Sequence, residues 1–526
     1  MDFSISTDST EVKLSGKMVR DKDANKIANA LKKNTITLLD LSRNQIGNGE
    51  DNPDDVEETG SFILAKAVEI NTSLTSLDLS GNYLNGENAN HFFEALKTNK
   101  TLTSLNLSSD EINDDIYSID DALKENTTLT SLTLLGKEIG NSVANLIANG
   151  LKENTGLTSL SFGILKDEGA ESIAEALKEN KTLKKLVLTC DMSDEGAESI
   201  AEALKENKTL TSLDLLGGFI EAKGANKIAE ALKENTSLTS LVLKYSHMIS
   251  NPDDSFDCHD ALKKNKTLTS LTLIGNQPER YKSSIIEKLS SGLKLNKNLR
   301  ELVLEQNTFR SEDVKHISDA LEENTGLTSL FIKNNVIGDE GAIQLAEALK
   351  TNKTLKILVL LDNQIGDIGA SALAEALKTN TTLNLLDLRR NIKIKGDCLP
   401  SIKEAIESRE SLGELIPQES TRQQHNRAHG FFTRLNTLYG VNVRPNLSGK
   451  ELHAFASTSH ASSLIQGYYQ PLTIYCKGHT FETAFKSKKS KKTKSKSKKK
   501  SKKTKSKSKK TKSKSKKTKS KSKKQF

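Results

Sequence analysis

The sequence predicts an α/β fold in the form of a solenoid, a stack of short strand-and-helix units that share one sheet and one core. The seventeen residues DEGAESIAEALKENKTL occur at 167–183 and again at 194–210, and a Leu-x-x-Leu-x-Leu segment recurs every 26 to 31 residues. Such self-similarity at a nearly fixed period is the signature of a repeat array. Only 4% of the residues are aromatic and none is Trp, so the core has to be built from Leu, Ile, Val and Ala.

Thirteen units are clear within the segment 34–416. A divergent first unit begins at Ile36 and contains the acidic insertion GNGEDNPDDVEETG at 47–60, and Leu412 is the candidate start of a truncated last unit. The regular units begin at Leu74, Leu102, Leu129, Leu157, Leu183, Leu210, Leu238, Leu268, Leu299, Leu327, Leu355 and Leu383.

The first part of each unit has the alternation of a short strand. In LTSLDLS at 74–80, Leu77 and Leu79 point to one side, whereas Ser76, Asp78 and Ser80 point to the other. One unit of this kind cannot bury its own apolar face, but a stack of units can.

The second part of each unit has the pattern of an amphipathic helix. In the repeated passage, Asp167 and Glu168 suit the positive N-terminal end of this helix. Asn180 is expected to end the helix in a left-handed conformation. The apolar stripe falls at i, i+3, i+4 and i+7, which are Ala170, Ile173, Ala174 and Leu177.

This pattern resembles the leucine-rich repeats of the ribonuclease-inhibitor type, which also occur in cytosolic NLR sensors and in the GTPase-activating protein of Ran. The resemblance covers 34–416 and implies a curved horseshoe with parallel strands on the concave face and helices on the convex face. It also implies an Asn that bonds to backbone between units, at Asn44, Asn82, Asn276, Asn307, Asn335, Asn363 and Asn391. Units starting at Leu102 through Leu238 replace this Asn, so we expect the least regular geometry there: Asp110, Lys137, Leu165, Asp191, Gly218 and Ser246.

Three further segments flank the array. Residues 1–33 are predicted to cap its N-terminal end, and 417–485 is predicted to be a small C-terminal cap of unknown fold. The second segment is rich in aromatic residues and holds five of the nine histidines. Its Cys476 and His479 have a loose metal-like spacing without a second matched pair, so no metal site is predicted.

The last segment, 486–526, is a disordered basic tail by composition. It has 24 Lys and no acidic residue, whereas the other 485 residues carry 53 basic and 68 acidic side chains, a net charge of −15. Such a polycation attracts nucleic acid or anionic lipid without reading base sequence. A nuclear-import signal, a solubilising extension and a tail that folds back on the acidic part of the chain are alternatives. The candidate polyanion-binding residues belong to the KKTKSKS repeats: Lys491, Lys492, Lys502, Lys503, Lys509, Lys510, Lys516 and Lys517.

No motif in the sequence indicates an enzyme. The chain has no Walker A, H-E-x-x-H or G-x-S-x-G motif, so no catalytic residue and no cofactor are expected. Four scattered cysteines and the lack of a visible secretory signal predict a cytoplasmic location. A nuclear location through the tail and secretion by a signal-independent route stay open. Asn-x-Ser/Thr sequons recur with the repeat and are expected to be unmodified.

Function is then expected from the sheet face opposite the helices, called here the helix-free face. Its early units carry small polar residues, and its later units carry an apolar run with a charged edge. An exposed apolar patch rimmed by charge marks a contact surface. The alternatives are that β-branched residues simply suit strands, or that the segment after the array covers part of the run. The candidate partner-binding residues are Val242, Ile274, Val303, Phe331, Lys333, Ile357, Val359, Leu361 and Arg389.

These observations favour a monomeric, non-enzymatic scaffold that binds a protein partner on this face. A GTPase activator of the Ran type is one alternative, because that family has the same repeat type. An effector protein of an intracellular microbe is another, suggested by the Lys- and Asn-rich composition.

Overall fold

The computed structural model of the protein describes residues 9–48, 59–137, 139–217, 219–245, 256–275, 284–412, 473–476 and 479–482. All of them belong to the first of two compact units, Met1–Ala484. The tail residues 486–526, and the eight lysines singled out in them, lie outside the described residues.

Sixteen described strands form one sheet, and their order in the sheet is their order in the chain. Neighbours from β1 to β15 are parallel, and β15 pairs antiparallel with β16. The strands are β1 (Glu11–Lys13), β2 (Leu38–Asp40), β3 (Ser76–Asp78), β4 (Ser104–Asn106), β5 (Ser131–Leu134), β6 (Ser159–Leu165), β7 (Lys185–Cys190), β8 (Ser212–Leu216), β9 (Ser240–Lys244), β10 (Ser270–Ile274), β11 (Glu301–Glu305), β12 (Ser329–Lys333), β13 (Ile357–Val359), β14 (Leu385–Asp387), β15 (Thr473–Cys476) and β16 (His479–Glu482).

A helix follows each of the first fourteen strands, and consecutive helices pack against one another. The helices are α1 (Ala24–Leu31), α2 (Gly60–Ile70), α3 (Gly86–Thr98), α4 (Ile119–Glu125), α5 (Asn141–Glu153), α6 (Asp167–Glu179), α7 (Asp194–Glu206), α8 (Ala222–Leu232), α9 (His259–Lys264), α10 (Ser284–Leu295), α11 (Ser311–Glu323), α12 (Gly338–Thr351), α13 (Asp367–Thr379) and α14 (Leu399–Leu412). The predicted α/β repeat solenoid is therefore confirmed.

One hydrophobic core lies between the sheet and the helices. The strand leucines Leu77 and Leu79 are buried in it, as is the predicted helix stripe represented by Ile173 and Leu177. The N-terminal segment contributes its own coil, because β1 pairs with β2 and Val12 joins the same core. The alternation read from the sequence thus assigns the core-facing side of each strand correctly.

The Asn that follows the strand in some units bonds to backbone of two units, as the resemblance implies. Asn391 Oδ1 accepts from the amides of Asn363 and Ile365 at 2.8 and 3.0 Å, and its Nδ2 donates to the carbonyls of Leu360 and Leu388 at 2.8 and 2.9 Å. The residue directly before this Asn has a positive φ in six units: Arg43, Gly81, Gln306, Asn334, Asp362 and Arg390.

Strand length does not follow the presence of this Asn, but one irregularity does. The strand β4, whose unit lacks the Asn, has three residues, whereas β11 and β12, whose units have it, contain five. A register shift between Phe162 and Leu165 interrupts the pairing of β6 with β7. This shift lies in the stretch where the missing Asn predicts the least regular geometry.

The predicted end of α6 is wrong in its conformation. Asn180 has φ −67° and ψ 131°, which is extended rather than left-handed. Its side chain ends the helix instead, because Nδ2 donates to the carbonyl of Leu151 in the preceding unit at 2.7 Å and Oδ1 accepts from the amide of Leu183 at 2.8 Å.

The expected role of Asp167 also changes in the structure. Asp167 is the first residue of α6, but its carboxylate caps the next helix, α7. Oδ1 accepts from the amides of Ser193 and Gly196 at 2.8 and 2.9 Å, and Oδ2 accepts from the Ser193 hydroxyl at 2.9 Å. The acidic start of one helix therefore joins two units.

Candidate functional site

The helix-free face contains one central row of side chains in strict register. Each member lies directly opposite the corresponding member of the next strand, from β2 to β14. In order, the row is Asp40, Asp78, Asn106, Thr133, Ser161, Val187, Asp214, Val242, Thr272, Val303, Phe331, Val359 and Asp387.

Burial divides this row into two parts. The five members from Asp40 to Ser161 are partly exposed. The eight members from Val187 to Asp387 are all buried, with exposed fractions between 2% and 8%. We call β2–β6 the open half and β7–β14 the covered half of the helix-free face.

The predicted apolar run lies in the covered half, so the expectation that it is exposed is wrong. Phe331, its largest member, is only 6% exposed. A second hydrophobic cluster, separate from the main core, contains Val303, Phe331, Ile357, Val359 and Leu385, with Leu361 packed against it. Val242 and Ile274 are buried on the same face. Partner binding by these residues stays a prediction, and it would require them to be uncovered first.

The two basic residues of the run are paired within the chain. Lys333 Nζ lies 3.6 Å from a Glu305 oxygen and 5.6 Å from the centre of the Phe331 ring. Burial lowers the pKa of Lys333, and Glu305 opposes that shift. Arg389 donates to the buried Asp387 from Nε and Nη2, at 2.6 to 3.0 Å. The charge of each basic side chain is therefore balanced by a carboxylate of this chain, and Lys333 also packs over the Phe331 ring.

A groove of about 720 Å³ lies mainly in the open half, at the carboxyl ends of the strands, and Thr189 of β7 also lines it. Its lining includes Arg43, Tyr83, Asp110, Glu111 and Lys137. Arg43 reaches it from the left-handed turn after β2, where its φ is 57°. Tyr83 is 43% exposed there.

The groove is electrostatically mixed. Lys137 Nζ lies 2.6 Å from a carboxylate oxygen of Asp110, and this hydrogen bond raises the pKa of Lys137. Both side chains are largely exposed, so the pair contributes little to stability. An open groove with charges of both signs differs from the enclosed pockets that hold small molecules.

Sequence reasoning missed this groove, although a signal for it was present. Asp110 and Lys137 occupy the positions where the repeat usually has the backbone-binding Asn. Replacing that Asn releases two side chains from a structural role and leaves them on the groove wall. The replacement of the repeat Asn by Asp110 and Lys137 was the sequence signal that could have located the groove.

Within the described residues, no arrangement of side chains indicates a metal site or a catalytic nucleophile. Among them, no group of three or more His, Cys, Asp or Glu could hold a metal ion. Cys190, Cys258 and Cys398 are buried, and burial raises the pKa of the Cys190 and Cys258 thiols to about 12. Thiols of that kind are poor nucleophiles. In the described part of the chain no helix is long and apolar enough to cross a membrane.

Comparison with known proteins finds a match to five parts of the repeat array. The family model described as "Leucine Rich repeat" matches residues 32–49, 71–87, 179–201, 323–346 and 351–374. No curated protein matches the chain. Among solved structures, "Leiomodin-1 Actin-Binding Site 2 (ABS2)" is 24% identical, with a TM-score of 0.21, over 30% of this chain and 73% of that one. A likeness at that score extends no property of that protein to this chain.

Proposed function

We propose that this leucine-rich repeat protein is a non-enzymatic scaffold that binds a protein partner at the groove in the open half of its helix-free face. The observation that carries the proposal is the groove of about 720 Å³ over a part of the face whose central row stays partly exposed. In the covered half, by contrast, the central row is buried.

The side chains of the groove suit a protein surface. Tyr83 supplies an exposed aromatic ring, and aromatic residues are enriched among those that dominate binding energy. Arg43, Lys137, Asp110 and Glu111 supply charges of both signs around it. Charges arranged in this way favour a complementary partner in one orientation.

Two exposed tyrosines provide a matched test. Tyr83 lies in the groove, whereas Tyr117 is 68% exposed and is not among the groove residues. Affinity capture with the full chain, Tyr83→Ala and Tyr117→Ala, quantified by mass spectrometry, is expected to show partners lost only with Tyr83→Ala. Equal capture by both variants would contradict the groove as the binding site.

The basic tail supports a second, electrostatic contact in the same proposal. Its 24 lysines have no acidic neighbour within 486–526, so a polyanion that engages several of them releases counterions. Nucleic acid and anionic lipid surfaces both offer that chemistry, and a salt titration tests it.

A further inference from the structure

The burial of the covered half is larger than its own strands explain. Thr133 and Thr272 are the same residue type in the same row, and each has a complete strand on both sides. Thr133 is partly exposed, whereas Thr272 is only 4% exposed. A strand on each side therefore does not by itself bury this position.

Phe331 makes the same point with a large side chain. Its neighbours in the row are Val303 and Val359, whose side chains are shorter, so the ring extends beyond them from the sheet. Lys333 covers part of the ring, at 5.6 Å from its centre. The exposed fraction of Phe331 is nevertheless only 6%.

We propose that the segment 413–472 of this chain docks on the covered half and forms a second hydrophobic core with the cluster around Phe331. The segment begins after Leu412, the last residue of α14, and it ends directly before Thr473, where β15 begins. Thr473 lies opposite Leu385, a member of that cluster. The first residue after the segment is thus held beside that cluster.

Length and composition support this occupant. The eight strands of the covered half span roughly 34 Å at a spacing of about 4.8 Å. Sixty residues, at up to about 3.3 Å each when extended, are long enough to cross that span and return. The segment is rich in aromatic residues, which bury large apolar areas. They are Phe431, Phe432, Tyr439, Phe455, Tyr468 and Tyr469.

The basic tail cannot be this occupant. Apart from Phe526, residues 486–526 are Lys, Ser, Thr and Gln, and burying lysines against an apolar cluster costs free energy. The inference is independent of the proposed function, because the groove lies in the open half. Either one can fail while the other holds.

Photo-crosslinking in the full chain identifies the cover. A benzophenone-bearing phenylalanine replaces Phe331, and the same group replaces Asn106 in the open half of the row as the matched control. After irradiation, peptide mapping is expected to show intramolecular links from position 331 to residues 413–472, and none from position 106 to that segment. Links from position 331 to another copy of the chain, or only to 246–255 or 276–283, would overturn the assignment.

A second measurement does not depend on the bulky probe. Thr133→Cys and Thr272→Cys are small, matched changes, and the labelling rate of each new thiol is compared in the full chain after subtraction of the native cysteines. Labelling of Thr272→Cys is expected to be slower by more than about tenfold, because it has to wait for local opening of the cover. Equal rates would show that the covered half is open in solution and would overturn the proposal.

Discussion

At the end of α7, the side chain of Asn207 joins three pieces of backbone. Its Nδ2 donates to the carbonyl of Leu177 in the preceding unit at 2.6 Å, and its Oδ1 accepts from the amides of Thr209 and Leu210 at 2.9 and 2.7 Å. The side chain is 1% exposed. The same residue therefore ends a helix, positions the next strand and links two units.

The hydroxyl of Thr209 explains the sequon at 207–209. Thr209 Oγ1 donates to the carbonyl of Asn180, 3.3 Å away in the preceding unit. A glycan would attach to Asn207 Nδ2, but Asn207 is buried and this atom donates a hydrogen bond to the carbonyl of Leu177. The Asn-x-Thr pattern here thus has a structural cause, and we expect it to be unmodified in the folded chain.

Removing this side chain should be costly. Asn207→Ala leaves the carbonyl of Leu177 and two amides buried without this partner, and each unsatisfied group costs about 1–3 kcal/mol. We expect the free energy of unfolding to fall by about 2–4 kcal/mol, measured by urea denaturation. The control is Lys208→Ala, an exposed change that should stay within about 0.5 kcal/mol. A loss for Asn207→Ala no larger than the control would disprove this role.

At the scale of the elements, several helix starts are bonded by a carboxylate of the preceding unit. Asp194 Oδ1 accepts from the amides of Glu221 and Gly224 at the start of α8, both at 2.8 Å. Asp339 does the same for Gly366 and Gly369 at α13, at 2.7 and 2.8 Å. A carboxylate near a helix N-terminus is stabilised by the helix dipole and the free amides. Adjacent units are therefore locked at their helix starts as well as by the sheet.

At Asp367, the pH dependence of stability tests these bonds between adjacent units. Burial would raise the pKa of its carboxyl, but bonds from the amides of Lys395, Gly396 and Cys398 prevail and lower that pKa to about 2. The folded pKa lies below the unfolded value of about 3.9, so the stabilisation is present above pH 4 and is lost as pH falls toward 2. We expect Asp367→Asn to lower the free energy of unfolding by about 1–2 kcal/mol at pH 7.

The difference between wild type and Asp367→Asn should shrink as the pH falls from about 4 to about 2, in unfolding experiments at each pH. Asp397→Asn is the control, because this carboxylate is exposed in the same loop. A difference that stays constant over that range would show that the charge of Asp367 is not what holds the loop.

At the scale of the whole molecule, charge is distributed very unevenly along the chain. The first 485 residues have a net charge of −15, and the last 41 carry 24 lysines. The net negative charge of residues 1–485 repels polyanions, so any affinity of the chain for polyanions has to come from the tail. This contrast makes the salt dependence of binding a direct measure of the tail.

Binding of the full chain to duplex DNA should weaken steeply with salt. With about six phosphate contacts, affinity is expected to fall by about a thousandfold between about 50 and 200 mM salt, irrespective of base sequence. A variant with eight lysines changed to Gln should bind more weakly and with a shallower slope, and anionic vesicles provide the lipid comparison. The eight positions are 491, 492, 502, 503, 509, 510, 516 and 517. A flat salt dependence, or equal binding by both proteins, would contradict polyanion binding by the tail and would indicate that the tail is a solubilising extension.

The sequence alone determined where each repeat unit begins, the order of strand and helix within it, and which residues face the core. Leu213 and Ile173, for example, are fully buried, as their positions in the two patterns predict. These properties follow from periods of two and 3.6 residues within one unit, so they need no knowledge of what lies beside it. The ribonuclease-inhibitor type of the repeat, by contrast, stays a prediction.

Only the tertiary structure decided which surface is free. It showed that Phe331 is buried, that Asp167 caps a helix in the next unit, and that Asp110 and Lys137 line a groove. Each of these depends on atoms about one unit or more away along the chain. A local pattern states which way a side chain points, and the exposure of that side chain depends on whatever else folds over it.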